Sequence, residues 1–330
     1  MFNKILFIGL GGAGQRHLRI IKNILPNAQL TAYRQLYKTP YLNSNFTVNQ
    51  DLSISEEYGI KIYDTLDDAY MNKPNLVVIS TPTSMHYKHI KKASEERASI
   101  IVEKPGSVNK LEALELSRIL KKNDTKFLIS FQRRFHPLIK KFKSIIEEIN
   151  PININNININ VNSYVPSWHP YENYKELYAC KSSLGGGVLL TESHEIDLVI
   201  WLFGSPKKIK STLFSKKEHH LDVEDAAKII LEYDHFNISL NLNFMEKVTE
   251  RSIKIDSETQ KIFLDLEAQK LVIEDKNGSI NEDIISITND QLFEKQFNYF
   301  MSSDNDERYI DSLIKNLACI DLCKKSNHHN

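Results

Sequence analysis

Glycine placement is what most restricts the folds open to this chain. Only 11 of its 330 residues are glycine, about half the usual share of roughly 7%. Seven of them fall in two clusters, Gly9, Gly11, Gly12 and Gly14 near the start and Gly185, Gly186 and Gly187 beyond the middle. A chain that otherwise avoids glycine keeps it where the backbone needs positive φ or something must approach the main chain closely. The first cluster follows the apolar run Ile5-Leu6-Phe7-Ile8 and precedes apolar residues at helical spacing, Leu18, Ile21 and Leu25. Gly9-x-Gly11-x-x-Gly14 between a strand and a helix is the arrangement of a dinucleotide-binding turn. The first glycine permits the tight turn, the second lets N–H groups reach a pyrophosphate, and the third lets helix pack on strand. Gly12 and Ala13 complete the loop, and the helix start adds partial positive charge.

An acidic residue about 20 positions on would bind the adenosine ribose. Here the second strand ends Tyr33-Arg34-Gln35. Arg34 offers a planar fork of donors to a 2′-phosphate and a face to adenine, which tilts the cofactor, NADP or NAD, toward NADP. An exposed strand-end arginine is the other reading.

From 1 to about 130 the pattern alternates strand and helix. Strands are expected at Ile5–Ile8, Leu30–Tyr33, Leu76–Ser80, Ile100–Val102 and Lys126–Ser130, with helices at 14–25, 85–98 and 109–122. Continuous apolar strands separated by helices predict a doubly wound parallel sheet, an α/β Rossmann domain. After a helix at 138–149 the pattern changes. Ile157, Ile159 and Val161 alternate with asparagine, Ile238, Leu240, Leu242 and Phe244 alternate with polar residues, and shorter runs follow at 227–233, 252–256, 261–266 and 270–274. Alternation predicts an open, mostly antiparallel sheet, and helices at 290–302 and 307–324 close the chain. The expected division is a Rossmann domain at 1–130 and an α+β domain at 131–330 for substrate binding and oligomerisation.

Lysine plus arginine equals aspartate plus glutamate, 42 each, which argues against nucleic acid or an anionic membrane as partner. Cys180, Cys319 and Cys323 make no disulfide framework and no metal-type pair, so no metal is expected. Apolar stretches are far shorter than the roughly 20 residues that span a bilayer. The expectation is a cytoplasmic protein. Strands such as Lys228–Tyr233 carry apolar residues on both faces, and a second copy's sheet is the simplest cover, giving a homodimer or homotetramer.

Five stretches, in order, resemble the glucose–fructose oxidoreductase / inositol dehydrogenase / rhizopine-catabolism (Gfo/Idh/MocA) family. They are Gly9-Leu10-Gly11-Gly12-Ala13-Gly14-Gln15-Arg16-His17, Val78-Ile79-Ser80-Thr81-Pro82-Thr83-Ser84-Met85-His86, Ile101-Val102-Glu103-Lys104-Pro105, Phe131-Gln132-Arg133-Arg134-Phe135-His136-Pro137 and Gly185–Asp197. The resemblance spans essentially the whole chain. It implies an NAD(P)-dependent oxidoreductase acting on a sugar, cyclitol or nucleotide-linked sugar, with surface-polysaccharide sugar synthesis as the favoured setting. It implies cofactor contacts at Thr81, Pro82, Glu103 and Lys104. His86 matches a family position beside that turn, or is a helix-start histidine bonded locally. Lys104 matches the catalytic lysine; at a strand end before Pro105 it points at the crevice where α/β ligands bind, and whether that peptide is cis is open at this level.

His194 and Asp197 are helix neighbours, so Asp197 is expected to fix the imidazole while His194 exchanges a proton with substrate. The chain departs from the family pattern at Thr191, where many relatives carry aspartate, and in its three-residue gap to His194. Thr191, His194 and Trp168 of the aromatic stretch Tyr164–Tyr171 are the expected substrate contacts. Two other readings stay open: a homologue that binds NADP(H) without turnover, and a reductase of a non-sugar imine or tetrapyrrole.

Overall fold

The computed structural model describes residues 2–34, 39–216, 219–304 and 307–327. The chain divides into two compact units, Met1–Gln132 with Asn289–Leu317, and Arg133–Thr288 with Ala318–Asn330.

In the first unit, β1 (Lys4–Ile8) leads through a turn into α1 (Gly12–Ile24) and β2 (Gln29–Tyr33). A small hairpin, β3 (Tyr41–Leu42) and β4 (Val48–Asn49), precedes α2 (Ile54–Tyr58), β5 (Lys61–Tyr63) and α3 (Leu66–Tyr70). Then come β6 (Leu76–Ile79), α4 (His86–Glu95), β7 (Ser99–Val102), α5 (Lys110–Lys122) and β8 (Phe127–Ile129). The six strands form one sheet, order β5-β2-β1-β6-β7-β8, and every neighbouring pair is parallel. Both faces are covered, so Ile5–Ile8 and Leu76–Ile79 are all fully buried, the reason these strands are continuous apolar runs.

The second unit opens with α6 (Pro137–Glu148), β9 (Ile154–Tyr164), α7 (Val188–Thr191) and α8 (Ser193–Phe203). It continues with β10 (Lys208–Phe214), β11 (Ala226–Glu232), β12 (Asn237–Asn243), β13 (Met245–Ser257), β14 (Gln260–Asp265), β15 (Lys270–Asp275) and β16 (Ile280–Ile284). These eight strands form a sheet of order β10-β11-β12-β9-β13-β14-β15-β16, antiparallel except where β12 runs parallel to β9. Ile157, Ile159 and Val161 face the buried side with Ile238, Leu240 and Leu242, while Asn158, Asn160 and Asn162 face the other. That other face is largely polar: Asn241 Nδ2 donates to Asn160 Oδ1 at 3.0 Å, and Asn160 donates to Glu250 at 3.3 Å. The apolar cover expected there shrinks to residues such as Ile230, which is 38% exposed.

α9 (Asn289–Ser302) and α10 (Arg308–Ser326) close the chain. Residues 289–317, expected with the second domain, cluster with the first unit instead. The reason is local packing: Arg16 of α1 donates to Asp290 at 2.8 Å, and His17 meets the Phe293 ring edge-on at 4.9 Å.

Candidate active site

The cofactor-side residues gather at the carboxyl ends of β1, β6 and β7, the end where open α/β sheets take ligands. Gly9 has φ +93°, and its N–H donates to Tyr33 O at 3.0 Å. A Cβ on Gly9 would lie 2.8 Å from Ser80 O, and one on Gly14 would lie 2.5 Å from Ser80 Oγ. Ser80 Oγ itself donates to Gly9 O at 2.8 Å. The turns after β1 and β6 are therefore one construction, which brings Gly9 and Gly14 against Ser80 and Thr81. At Gly11 the situation reverses, since a Cβ there meets nothing within 4 Å. Beside it α1 begins without an acidic residue in its first turn and without a side-chain cap, Gly12 and Ala13 being its first two residues. Open space at Gly11 next to a helix start that no carboxylate neutralises fits a pyrophosphate.

Pro82 leads from this turn into a short 3-10 segment, after which His86 starts α4. His86 is only 1% exposed, and burial lowers its pKa to about 4. The neutral ring donates from Nε2 to Thr81 O at 2.8 Å. The contact it makes is thus with the Thr-Pro turn, whose backbone it holds from within. Arg34 is likewise buried, 9% exposed, with Nη2 donating to Thr39 O at 2.8 Å; the surface-arginine reading fails. Gln35 lies outside the described residues.

Glu103 and Lys104 follow β7 directly. Glu103 Oε1 is 2.9 Å from His17 Nε2. Burial opposes the Glu103 charge, but the His17 hydrogen bond and the neighbouring Lys104 cation outweigh it and hold the carboxyl below its usual range. Lys104 is half-buried, its charge bears on both Glu103 and His86, and its peptide bond to Pro105 is cis. In the sequence His17 is only the last residue of the glycine-loop stretch. Its place three residues after Gly14, one turn into α1, is the available signal.

In the second unit the glycine cluster is a tight loop. Gly185 and Gly187 have φ of +77° and +101°, and a Cβ on Gly186 would lie 2.6 Å from Ala179 O. The loop feeds α7, which ends at Thr191, and α8 starts at Ser193. Thr191 and His194 are both buried, 1% and 6% exposed, at this junction. Trp168 lies on a separate segment, its N–H donating to Val165 O at 3.0 Å.

Asp197 is bound by an arginine from a separate segment. Arg134 donates Nε to its Oδ2 at 2.8 Å and Nη2 to its Oδ1, so both carboxylate oxygens hold a guanidinium fork. Glu192 and Glu195, on either side of His194, enter a buried charge cluster. Glu195 Oε1 accepts from Arg133 Nη1 at 2.6 Å and from Arg251 Nη1. Glu192 accepts from Ser163 Oγ at 2.8 Å and from Arg251 Nη2 at 3.4 Å. Burial, reinforced by the like charge of Arg251, pushes Arg133 down to about 10. Arg133 and Arg251 thus face Glu192 and Glu195 around the start of α8, with the more exposed Glu267 3.7 Å from Arg251 Nε.

Comparison with known proteins bears on both units. A family model described as "Oxidoreductase family, NAD-binding Rossmann fold" matches residues 3–131, and one for the GFO/IDH/MocA C-terminal domain matches residues 153–262. An uncharacterised oxidoreductase of Bacillus subtilis is 30% identical over 140 residues, 42% of this chain and 38% of that protein. The NADP+-dependent scyllo-inositol 2-dehydrogenase of the same organism is 25% identical over 158 residues, 48% of this chain and 42% of that protein. The chain therefore spans less than half the length of these relatives. Among solved structures, levoglucosan dehydrogenase in complex with NADH and levoglucosan superposes with a TM-score of 0.82 at 15% identity, over 99% of this chain and 97% of that one. UDP-N-acetylglucosamine 3-dehydrogenase of Acidithiobacillus ferrooxidans gives 0.75 at 15% identity, over 98% and 97%. Among the described residues no helix is long and apolar enough to cross a membrane. Matched by family models in both units, the chain belongs to the Gfo/Idh/MocA oxidoreductases, with an NAD-binding Rossmann unit followed by the family's C-terminal domain.

Proposed function

We propose that this oxidoreductase moves a hydride between a nicotinamide dinucleotide and a hydroxyl- or carbonyl-bearing carbon of a sugar, cyclitol or nucleotide-linked sugar. The observation that carries the reading is Lys104, a half-buried cation directly after β7, at the sheet end where the Gly9–Ser80 construction fits a dinucleotide. The relatives support the substrate class, since they act on an inositol or were solved with an anhydrosugar.

Gly9, Gly11, Gly12, Ala13 and Gly14 hold the pyrophosphate, Arg34 the adenosine end, and Thr81, Pro82 and Glu103 the nicotinamide side. When bound, the nicotinamide supplies the hydride donor or acceptor. Lys104 donates a hydrogen bond to the reacting oxygen and offsets the charge that builds there. His194 takes or returns the hydroxyl proton, and Thr191 and Trp168 contact the substrate. Copies of the chain pair through the second sheet into a homodimer or homotetramer, and the setting is surface-polysaccharide sugar synthesis. A second reading, binding of NADP(H) without turnover, is favoured by Thr191 standing where many relatives have an ionisable aspartate.

A panel of sugars, cyclitols and nucleotide sugars, read by cofactor absorbance, separates the two. With a substrate in hand, Lys104→Ala should bind cofactor nearly normally and lose on the order of 10²–10³ in kcat, the scale of one lost oxyanion donor. His194→Ala should lose on the order of 10²–10⁴ and flatten the pH–rate profile. Unchanged turnover in both variants would remove the site assignment.

A further inference from the structure

Between β2 and β5 the chain inserts a segment that a strand–helix alternation does not need, and this segment brings Phe46 to the start of α1. Tyr41 pairs with Asn49 and Leu42 with Val48 across the β3–β4 hairpin. Fully buried Gln15 of α1 clamps its base, donating to Pro40 O and accepting from Leu42 N, both at 2.8 Å. Arg19 donates to Leu42 O at 3.0 Å, and the Tyr41 and Tyr58 rings stack at 5.8 Å. The tip is equally fixed: Asn43 N donates to Thr47 O and Phe46 N to Asn43 O, both at 2.9 Å. Phe46 itself has φ +64°, a conformation that bulky residues rarely take and that the surrounding bonds impose.

The Phe46 ring occupies the space a side chain at position 12 would fill. A Cβ on Gly12 would lie 2.6 Å from Phe46 Cε1. The Arg16 guanidinium lies 4.5 Å over the ring and is itself held by Asp290 at 2.8 Å. An aromatic wall therefore stands against Gly12, the residue that follows the open Gly11 position. In a doubly wound sheet the adenosine runs from that loop toward the end of β2, where Arg34 bonds Thr39 O in the same inserted segment.

We propose that Phe46 is a binding residue for the adenosine half of the cofactor, its ring forming the wall against which that half packs. The inference rests on the glycine loop being the pyrophosphate site. Calorimetric titration of the full chain with NADH and with ADP-ribose tests it. Phe46→Ala should weaken both ligands by the same factor, about tenfold, the scale of a lost aromatic contact. Phe46→Tyr, which keeps the ring, should bind both like wild type. Equal circular dichroism spectra ensure that binding is compared between folded proteins. Phe46→Ala binding ADP-ribose within about twofold of wild type, or losing NADH alone, overturns the proposal while leaving the glycine-loop reading intact. Wild-type protein that binds neither ligand, or Gly11→Val protein that binds both unchanged, overturns the two together.

Discussion

Arg251→Met is the sharpest test of what holds the start of α8. Arg251 is 12% exposed in its side chain, and its carboxylate partners Glu192 and Glu195 are 5% and 3% exposed. Replacing it with an apolar chain of similar length leaves Arg133 as the cation against two buried glutamates and the more exposed Glu267, so the cluster becomes more negative by one charge. Breaking a buried pair by removing one partner costs roughly 3–5 kcal/mol. Glu195 keeps Arg133 at 2.6 Å and Glu192 keeps Ser163 at 2.8 Å, which argues for the lower end, about 3 kcal/mol. Both tryptophans, Trp168 and Trp201, belong to the second unit, so urea unfolding followed by tryptophan fluorescence reports on that unit. Adding Glu192→Gln removes the surplus charge and should restore about 1–2 kcal/mol of the loss. A loss below about 1 kcal/mol for Arg251→Met would refute the reasoning, because that is what an exposed pair contributes.

Arg34→Ala should weaken NADPH by about ten- to a hundredfold more than NADH, since only the phosphorylated cofactor loses a charged hydrogen-bond partner; equal weakening in a fluorescence titration would leave Arg34 as support for the inserted segment. Burial lowers His86 and His89 to about 4 from an ordinary 6.5. Below pH 6.5 the unfolded chain takes up protons that the folded chain refuses, so stability falls as pH drops and the fall levels off below about pH 4. Each histidine should cost about 2 kcal/mol at pH 5. His89→Phe should make the acid limb of melting temperature against pH shallower, and an unchanged limb would count against a buried neutral imidazole.

Much of the first unit is legible because strands buried on both faces must be apolar throughout, as Leu76–Ile79 and Ile100–Val102 are. β5 escaped that test: Lys61-Ile62-Tyr63 is short and only partly covered. The β3–β4 hairpin has strands of two residues and is fixed by Gln15 from another element, so no local pattern announces it. The glycine turn was readable down to individual residues, whereas the partners of Glu103 and Asp197 were not. Spacing on one helix makes His194 and Asp197 neighbours, but the choice of Arg134 depends on where a separate segment passes. Arg251 carried a usable sign: it shares the parity of Ile253 and Ile255 on β13, so an arginine on the inward face of an alternating strand asks for a buried partner.

The position of β9 in its sheet sets an order of events. Ile157 pairs with Ile238 on one side and Ile255 on the other, both far downstream. At about 5–20 residues per second of synthesis, β9 leaves the ribosome several seconds before either neighbour exists. Its isoleucine face and both its edges wait unpaired through that interval, and closing such distant contacts is slow because the intervening chain must first be ordered. The polar asparagine face halves the apolar surface the waiting strand presents. Assembly of the second unit is therefore governed by the arrival of β12 and β13 rather than by the strand-forming tendency of β9 itself.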